Sequence, residues 1–291
     1  GSFDYYYRET NDLISRIPVP AGSNLTNEIY TNIGSLRNEG IEFSISSKPI
    51  VTNKFIWDLG FNIAYNSNKI TKLNKSNDTD YYIPVGGISG GTGNTVQAHK
   101  VGYPAFSYLL YEQVYDKDGN PIEGLYVDRN GDGVIDEADK RLYKSRDPKV
   151  VMSFTSRMEY KNFDFGFSLR ANLGNYVYDN VQSNNSSYSA IYNSAGYLNN
   201  LISRGTKFQN PQYMSDYYLH NAGFLRCDNI TLGYTWNELA QNKLKLRLYG
   251  AVQNPFVITK YKGLDPEVFS GIDNNVYPRP ITFLLGVIIT Y

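Results

Sequence analysis

The chain has 291 residues, no formal net charge, 41% hydrophobic and 15% aromatic residues, and one cysteine. Balanced charge excludes the basic footprint of a nucleic-acid binder, and a lone Cys227 excludes an internal disulfide or a multi-cysteine metal site. No apolar run approaches the roughly 18 residues of a transmembrane helix, a test that barrel strands of about 10 alternating residues evade.

Gly1-Ser2 has the character of an added pair, and the chain enters a β-prone run, Phe3 to Arg8, at once. Together they read as a piece of something longer. Asn11 to Leu36 carries Pro18, Pro20, Gly22 and several Asn and Ser residues and is expected to be a loop. Glu39 to Lys48 alternates, with Ile41, Phe43 and Ile45 against Glu42, Ser44 and Ser46. Pro49 is expected to end it, having no N–H for a ladder. The longest unbroken alternation follows: Phe55, Trp57, Leu59, Phe61, Ile63 and Tyr65 against Asp58, Gly60, Asn62, Ala64 and Asn66. Lys69 to Pro104 reads as a long polar loop, suspicious in a compact soluble domain and ordinary on the outer side of a membrane barrel. Phe106 to Tyr115 reads as a strand, and Asp118-Gly119 offers a hairpin turn into Ile122 to Val127.

Val150 to Tyr160 and Phe163 to Gly174 are two strands separated only by Lys161-Asn162. The second turns Phe163, Phe165, Phe167, Leu169, Ala171 and Leu173 one way. Another Asn-, Ser- and Tyr-rich loop runs to about Ala222. Phe224 to Trp236 and Lys243 to Gln253 are strands, and Asn254 to Pro280 is a loop rich in Pro, Gly and Asp. The closing run, Ile281 to Tyr291, places Ile281, Phe283, Leu285, Val287, Ile289 and Tyr291 on one parity and stops on the aromatic ring. Arg226 and Asp228 break the pattern by sharing parity with Ile230, Leu232, Tyr234 and Trp236. They are expected above the bilayer, on an outer extension of their strand.

Connections after Lys48, Tyr160 and Trp236 are short, and those after Arg8, Tyr65, Gly174 and Gln253 are long. Barrels of outer membranes have this asymmetry, with short periplasmic turns and long extracellular loops. The expected fold is all-β: an antiparallel transmembrane β-barrel wall of about eight strands spanning residues 1–291. Residues 104–149 form an extracellular hairpin and calcium-like loop inserted in it. Strands of about 10 to 12 residues exceed the usual five or six, which weighs against a soluble sandwich.

The sharpest chemical signal is Asp128 to Asp139. Asp128, Asn130, Asp132 and Asp136 stand at positions 1, 3, 5 and 9 of a calcium-type loop, with Gly133 at 6, the Val134 carbonyl at 7 and an acid, Asp139, at 12. A hard cation needs several oxygens around one point, so a structural Ca2+ is expected there, and Asp139 in place of the usual Glu shortens the reach. The other reading is an Asp/Gly-rich turn without metal. The clusters Tyr5-Tyr6-Tyr7, Tyr81-Tyr82 and Tyr217-Tyr218 read as interfacial girdle or loop packing, with sugar stacking as the sharper reading. No catalytic or organic-cofactor residues are expected. His99 and His220 lie in loops without a nucleophile or metal-ligand spacing, no carboxylate pair is singled out, and Gly86 to Gly91 lacks the Lys and helix of a phosphate loop.

Several stretches together resemble the C-terminal part of SusC/RagA-type TonB-dependent outer-membrane transporters. They are Tyr6 to Leu13, Asn32-Ile33-Gly34, Asn38 to Glu42, Asp128 to Asp139, Tyr160 to Asp164, Phe224-Leu225-Arg226, Leu232-Gly233-Tyr234, Gln253-Asn254, Asp265-Pro266-Glu267 and Tyr277-Pro278. The resemblance implies the last eight or so strands of a 22-stranded plugged barrel. It also implies a place in the Gram-negative outer membrane and a share in glycan or peptide uptake, with outer-membrane lipid around the wall. The implied partners are a SusD-like surface lipoprotein, the remaining barrel and plug, and the TonB complex reached through the N-terminal part. No family substrate residue carries over; the calcium-like loop transfers position by position. A secreted carbohydrate-binding β-sheet protein and a calcium-stabilised surface adhesin module are the competing readings.

Overall fold

Side chains that alternate with period two can only be used consistently if neighbouring strands hold a common register. The structure, a computed structural model, describes residues 1–18, 22, 25, 26, 28–73, 80–191, 206–239 and 244–291. In chain order the strands are β1 (Ser2–Pro18), β2 (Glu28–Val51), β3 (Phe55–Lys72), β4 (Tyr82–Gly87), β5 (Thr95–Lys100), β6 (Ser107–Leu110), β7 (Gln113–Tyr115), β8 (Pro121–Tyr126) and β9 (Arg141–Ser145). They continue with β10 (Val150–Tyr160), β11 (Phe163–Leu173), β12 (Tyr176–Asp179), a short helix α1 (Asn180–Asn185), β13 (Leu219–Asn221), β14 (Phe224–Leu239), β15 (Leu244–Thr259), β16 (Ile272–Asp273) and β17 (Thr282–Thr290). Eight of them form one antiparallel sheet in the order β1-β2-β3-β10-β11-β14-β15-β17, the wall expected from the alternation.

Register turns the apolar parities into continuous rows across this wall. One row is Leu59, Ser156, Phe167, Ile230, Val252 and Phe283; the next is Trp57, Met158, Phe165, Leu232, Gly250 and Leu285. These rows cover no protein core: Phe283 is 77% and Leu285 87% exposed. Contiguous apolar surface on that scale is stable against lipid and not against water.

Aromatic rings mark the two borders of the apolar band. At the short-turn end Tyr160, Phe163, Tyr234 and Trp236 gather, with Phe163–Tyr234 and Tyr234–Trp236 centroids 4.7 and 4.6 Å apart. At the other end Tyr5 pairs with Ile41, which pairs with Tyr65 opposite Val150. Val150 and Tyr160 are the two ends of β10. At about 3.3 Å per residue and a tilt near 40°, that strand spans roughly 25 Å, the height of an outer-membrane apolar band.

Several expectations at the loops change. Asn11 to Leu36 is largely not a loop. Asp12 takes a left-handed conformation at a bulge, after which Leu13–Pro18 continues β1 against Glu28–Gly34; Pro20 lies outside the described residues. Pro49 does not end β2. Lys48 and Pro49 together oppose the single Asp58 in a bulge, where a missing N–H breaks no ladder bond. β14 and β15 are also longer than read, reaching Leu239 and Thr259. Lys243 lies outside the described residues. Asp118-Gly119 does turn β7 into β8, as expected.

The long connections are not structureless. β4-β5-β6-β9, β13-β12-β16 and β7-β8 make three small sheets at the long-loop end. The first two share a core in which Ile88, Val96, Tyr108, Leu110, Tyr178, Tyr218 and Ile272 are buried. Tyr217 and Tyr218 belong to this core and not to a membrane girdle. The Tyr108 hydroxyl, 2.8 Å from the Tyr176 carbonyl and 2.6 Å from that of Gly271, ties three connections together.

Candidate functional site

The wall's other parity is polar and lines its concave side. A cavity of about 880 Å3 there is bounded mainly by Lys48, Asp58, Thr155, Arg157, Asp164 and Arg247. Asp164 of β11 accepts two hydrogen bonds from Arg247 of β15, at 2.9 and 2.6 Å, reaching over β14. Gly233 of β14 makes this possible: a Cβ there would sit 2.5 Å from the Asp164 carboxylate and 2.7 Å from the Arg247 guanidinium.

Toward the long-loop end this face carries a six-residue ionic network. A bulge in β14 pairs Leu169 with Cys227 and Ser168 with Asn229, leaving Asp228 as the extra residue. Parity therefore flips at Asp228, and Arg226 falls on the polar side opposite Arg170. The expectation that Arg226 and Asp228 escape the apolar face by rising above the bilayer is thus corrected: the bulge turns Arg226 onto the polar face. Arg226 and Asp265 are both almost fully buried and 2.7 Å apart. Arg170 reaches Glu267 at 2.6 Å and Asp228 at 3.3 Å, and Arg279 also binds Glu267. Burial alone would raise the Glu267 pKa, but hydrogen bonds from Arg170 and Arg279 hold it below the usual carboxylate value. Three arginines and three carboxylates so clamp the 260–281 connection onto the wall. Asp265-Pro266-Glu267 was legible as a motif; its arginine partners were hidden because nothing local predicts a bulge.

The structure brings Asp128, Asn130, Asp132, Val134, Asp136 and Asp139 together in one tight loop closed by its own amides. Asp128 accepts from the Gly131 and Gly133 N–H groups at 2.7 and 2.8 Å, and Asp132 accepts from Val134 at 2.8 Å. Asp139 is buried and accepts from Arg129 and Asp136 N–H groups at 2.7 and 2.9 Å, which keep its pKa low. Nearby Tyr111 is pushed up to about 12 by burial and then by Glu137, Asp136 and Asp139. The loop gathers the carboxylates of Asp128, Asp132, Asp136, Glu137 and Asp139 within twelve residues, a concentration of negative charge that a cation requires. Among the described residues, however, no three Asp, Glu, His or Cys side chains converge on one point as metal ligands would. His99 is half-buried against Phe106 and lowered in pKa by burial and then by Arg146, and His220 lies 3.2 Å from Gln182.

A lipid-facing wall with a polar concave side and an elaborate cap at one end is the architecture of outer-membrane transporters, and comparison with known proteins agrees. Residues 1–134 match the family model described as TonB dependent receptor-like, beta-barrel. The TonB-dependent receptor SusC of Bacteroides thetaiotaomicron is 53% identical over 99% of this chain and 30% of its own length. The chain belongs to the TonB-dependent receptor β-barrels. The TonB-dependent receptor P3 of Formosa agariphila is 29% identical over 98% of the chain and 32% of its own length. The solved RagAB peptide transporter superposes with a TM-score of 0.77 over 99% of the chain and 33% of its own, at 22% identity, a likeness of fold. This SusC/RagA-type receptor segment thus spans about a third of the length of the curated relatives it matches. Such receptors are outer-membrane proteins, and no helix among the described residues is long and apolar enough to cross a membrane. The band of apolar strands does the crossing.

Proposed function

We propose that the chain forms part of the wall and outer cap of a nutrient importer of the outer membrane, taking up glycans or peptides with energy supplied through TonB. The observation that carries this is the 53% identity to SusC over 99% of the chain, joined to a wall whose polar side is concave. In this reading the short turns face the periplasm and the cap faces the outside. A SusD-like surface lipoprotein covers the cap, and the rest of the barrel pairs with the open edges of β1 and β17. The naming of a relative in structure as a peptide transporter keeps peptides among the cargoes. The test uses the complete receptor that carries this chain. It should fractionate with outer membranes, need detergent for extraction, and bring down a lipoprotein partner on affinity purification. Recovery as a detergent-free soluble monomer would overturn the reading.

A structural Ca2+ in the Asp128–Asp139 loop is the second part of the proposal. Its support is the ligand spacing and the run of carboxylates in the loop. Asp128, Asn130, Asp132 and Asp136, with the Val134 carbonyl, would hold the ion. Asp139, engaged by two amides, would contribute mainly by closing the loop.

A further inference from the structure

The cap contains a pocket whose lining is unusual in chemistry. It measures about 250 Å3 and is bounded by Ser89, Asn180, Val181, Asn184, Asn185, Asn274 and Asn275. Five asparagines and one serine come from three separate stretches: the β4–β5 turn, α1, and the segment after β16. No ionisable side chain lines it. An adjoining pocket of about 260 Å3 shares Val181 and Asn275 and adds Asp179, Lys262 and Asp273.

The floor is organised, and the rim is left over. Asn180, buried, donates to Ser89 and Asn274, while its own carbonyl accepts from Ser183 at 3.0 Å. Asn184 donates to Ser89 at 2.8 Å and Asn185 to the Val181 carbonyl at 2.9 Å. Asn184 and Asn185 use only the amide nitrogen in these bonds. The side-chain carbonyls of Asn184 and Asn185 and the amide nitrogen of Asn274 then have no partner among the described residues. Asparagine supplies both donors and acceptors without charge. A fixed array of spare carboxamide groups fits a ligand that is neutral and bears many hydroxyls, each able to give and to take a hydrogen bond. Phosphates, carboxylates and ammonium groups gain nothing here, since no opposite charge offsets their desolvation. Pocket size, about 250 Å3 and so below the roughly 300 Å3 where drug-sized sites begin, suits one sugar ring.

We infer that Asn184, Asn185 and Asn274, held by Asn180 and Ser89, form a subsite for one unit of a neutral glycan. The inference rests on the importer reading and refines it.

The experiment is titration calorimetry on the complete, detergent-solubilised receptor. Its probes are neutral hexasaccharides of glucose, mannose and galactose and, separately, an uncharged Gly/Ser octapeptide. The expected result is binding of at least one hexasaccharide, weakened about tenfold by Asn184→Ala with Asn185→Ala, since two neutral hydrogen bonds at about 0.7 kcal/mol each amount to that factor. Asn185→Leu, a single change on the surface of α1, gives the same direction of effect if the double variant misfolds. Hexasaccharide binding untouched by both variants, no hexasaccharide binding at all, or loss of octapeptide binding instead would overturn the subsite. None of these outcomes bears on membrane residence or lipoprotein capture, so the two readings fail separately.

Discussion

At the scale of single residues, the decisive group is Arg226. In the linear pattern it sits among lipid-facing side chains; in the fold it is buried against Asp265. A buried charge that loses its partner is left desolvated, so Asp265→Ala should destabilise the 260–281 connection by about 3–5 kcal/mol. Limited proteolysis of the membrane-embedded receptor checks this, cleavage moving into residues 260–281. Replacing Asp265 and Arg226 together by apolar residues should be far milder, because the penalty lies in the orphaned charge. Glu267 adds a pH dependence. Its native pKa is depressed, so its contribution is complete above the ordinary Glu value of 4.5 and disappears as pH falls through the native value. Protease sensitivity of the same connection should therefore rise as pH falls below about 4.5, and an identical pH profile in a Glu267→Gln receptor would remove Glu267 from the clamp.

Among the elements, the wall strands show how little separates lipid from lumen: one residue along β14. Ile230 belongs to an apolar row between Phe167 and Val252, whereas Asn229 lies between Ser168 and Gln253 on the polar side. Ile230→Arg should cost about 2–4 kcal/mol, the range for a cation near the middle of a barrel's lipid face. Asn229→Arg, one position away, should leave folding within about 0.5 kcal/mol because it enters the polar concavity. Urea unfolding in detergent or lipid, followed by gel mobility of folded and unfolded forms, reads both. The bulge at Asp228 limits this alternation to one side of it. Beyond it the parities exchange, and Leu225 rather than Arg226 continues the face of Ala171.

For the whole molecule, the cap and the wall are two physically different constructions on one chain. The wall's stability comes from ladder hydrogen bonds and lipid; the cap has a water-excluding core of its own, rich in tyrosine. A bound Ca2+ acting on the cap should raise its melting transition without moving the wall's. At 100 times the dissociation constant, the ion would add about 2.7 kcal/mol. Calorimetry of the receptor with calcium and with a chelator should separate the two transitions, and superimposable traces would end the structural role given to the loop.

Strand number, strand order and the two faces of the wall were readable directly, because which side a residue takes in a strand depends only on its neighbours in the chain. The length of the strands beyond Arg8 and Lys48 was not, since the Pro-, Gly- and Asn-rich run from Asn11 and the proline at Pro49 read as breaks, and in the fold a bulge carries each strand on. The clamp and the glycan pocket were equally invisible. Their partners lie far apart in the chain, 97 residues for Arg170 and Glu267 and 91 for Asn180 and Ser89, and the stretches holding them look like loops with no period to follow. Alternation is a local property, and one strand carries all of it. A cap core, a charge network or an amide-lined pocket exists only after several connections have returned to one end of the wall, and only the folded chain places them there.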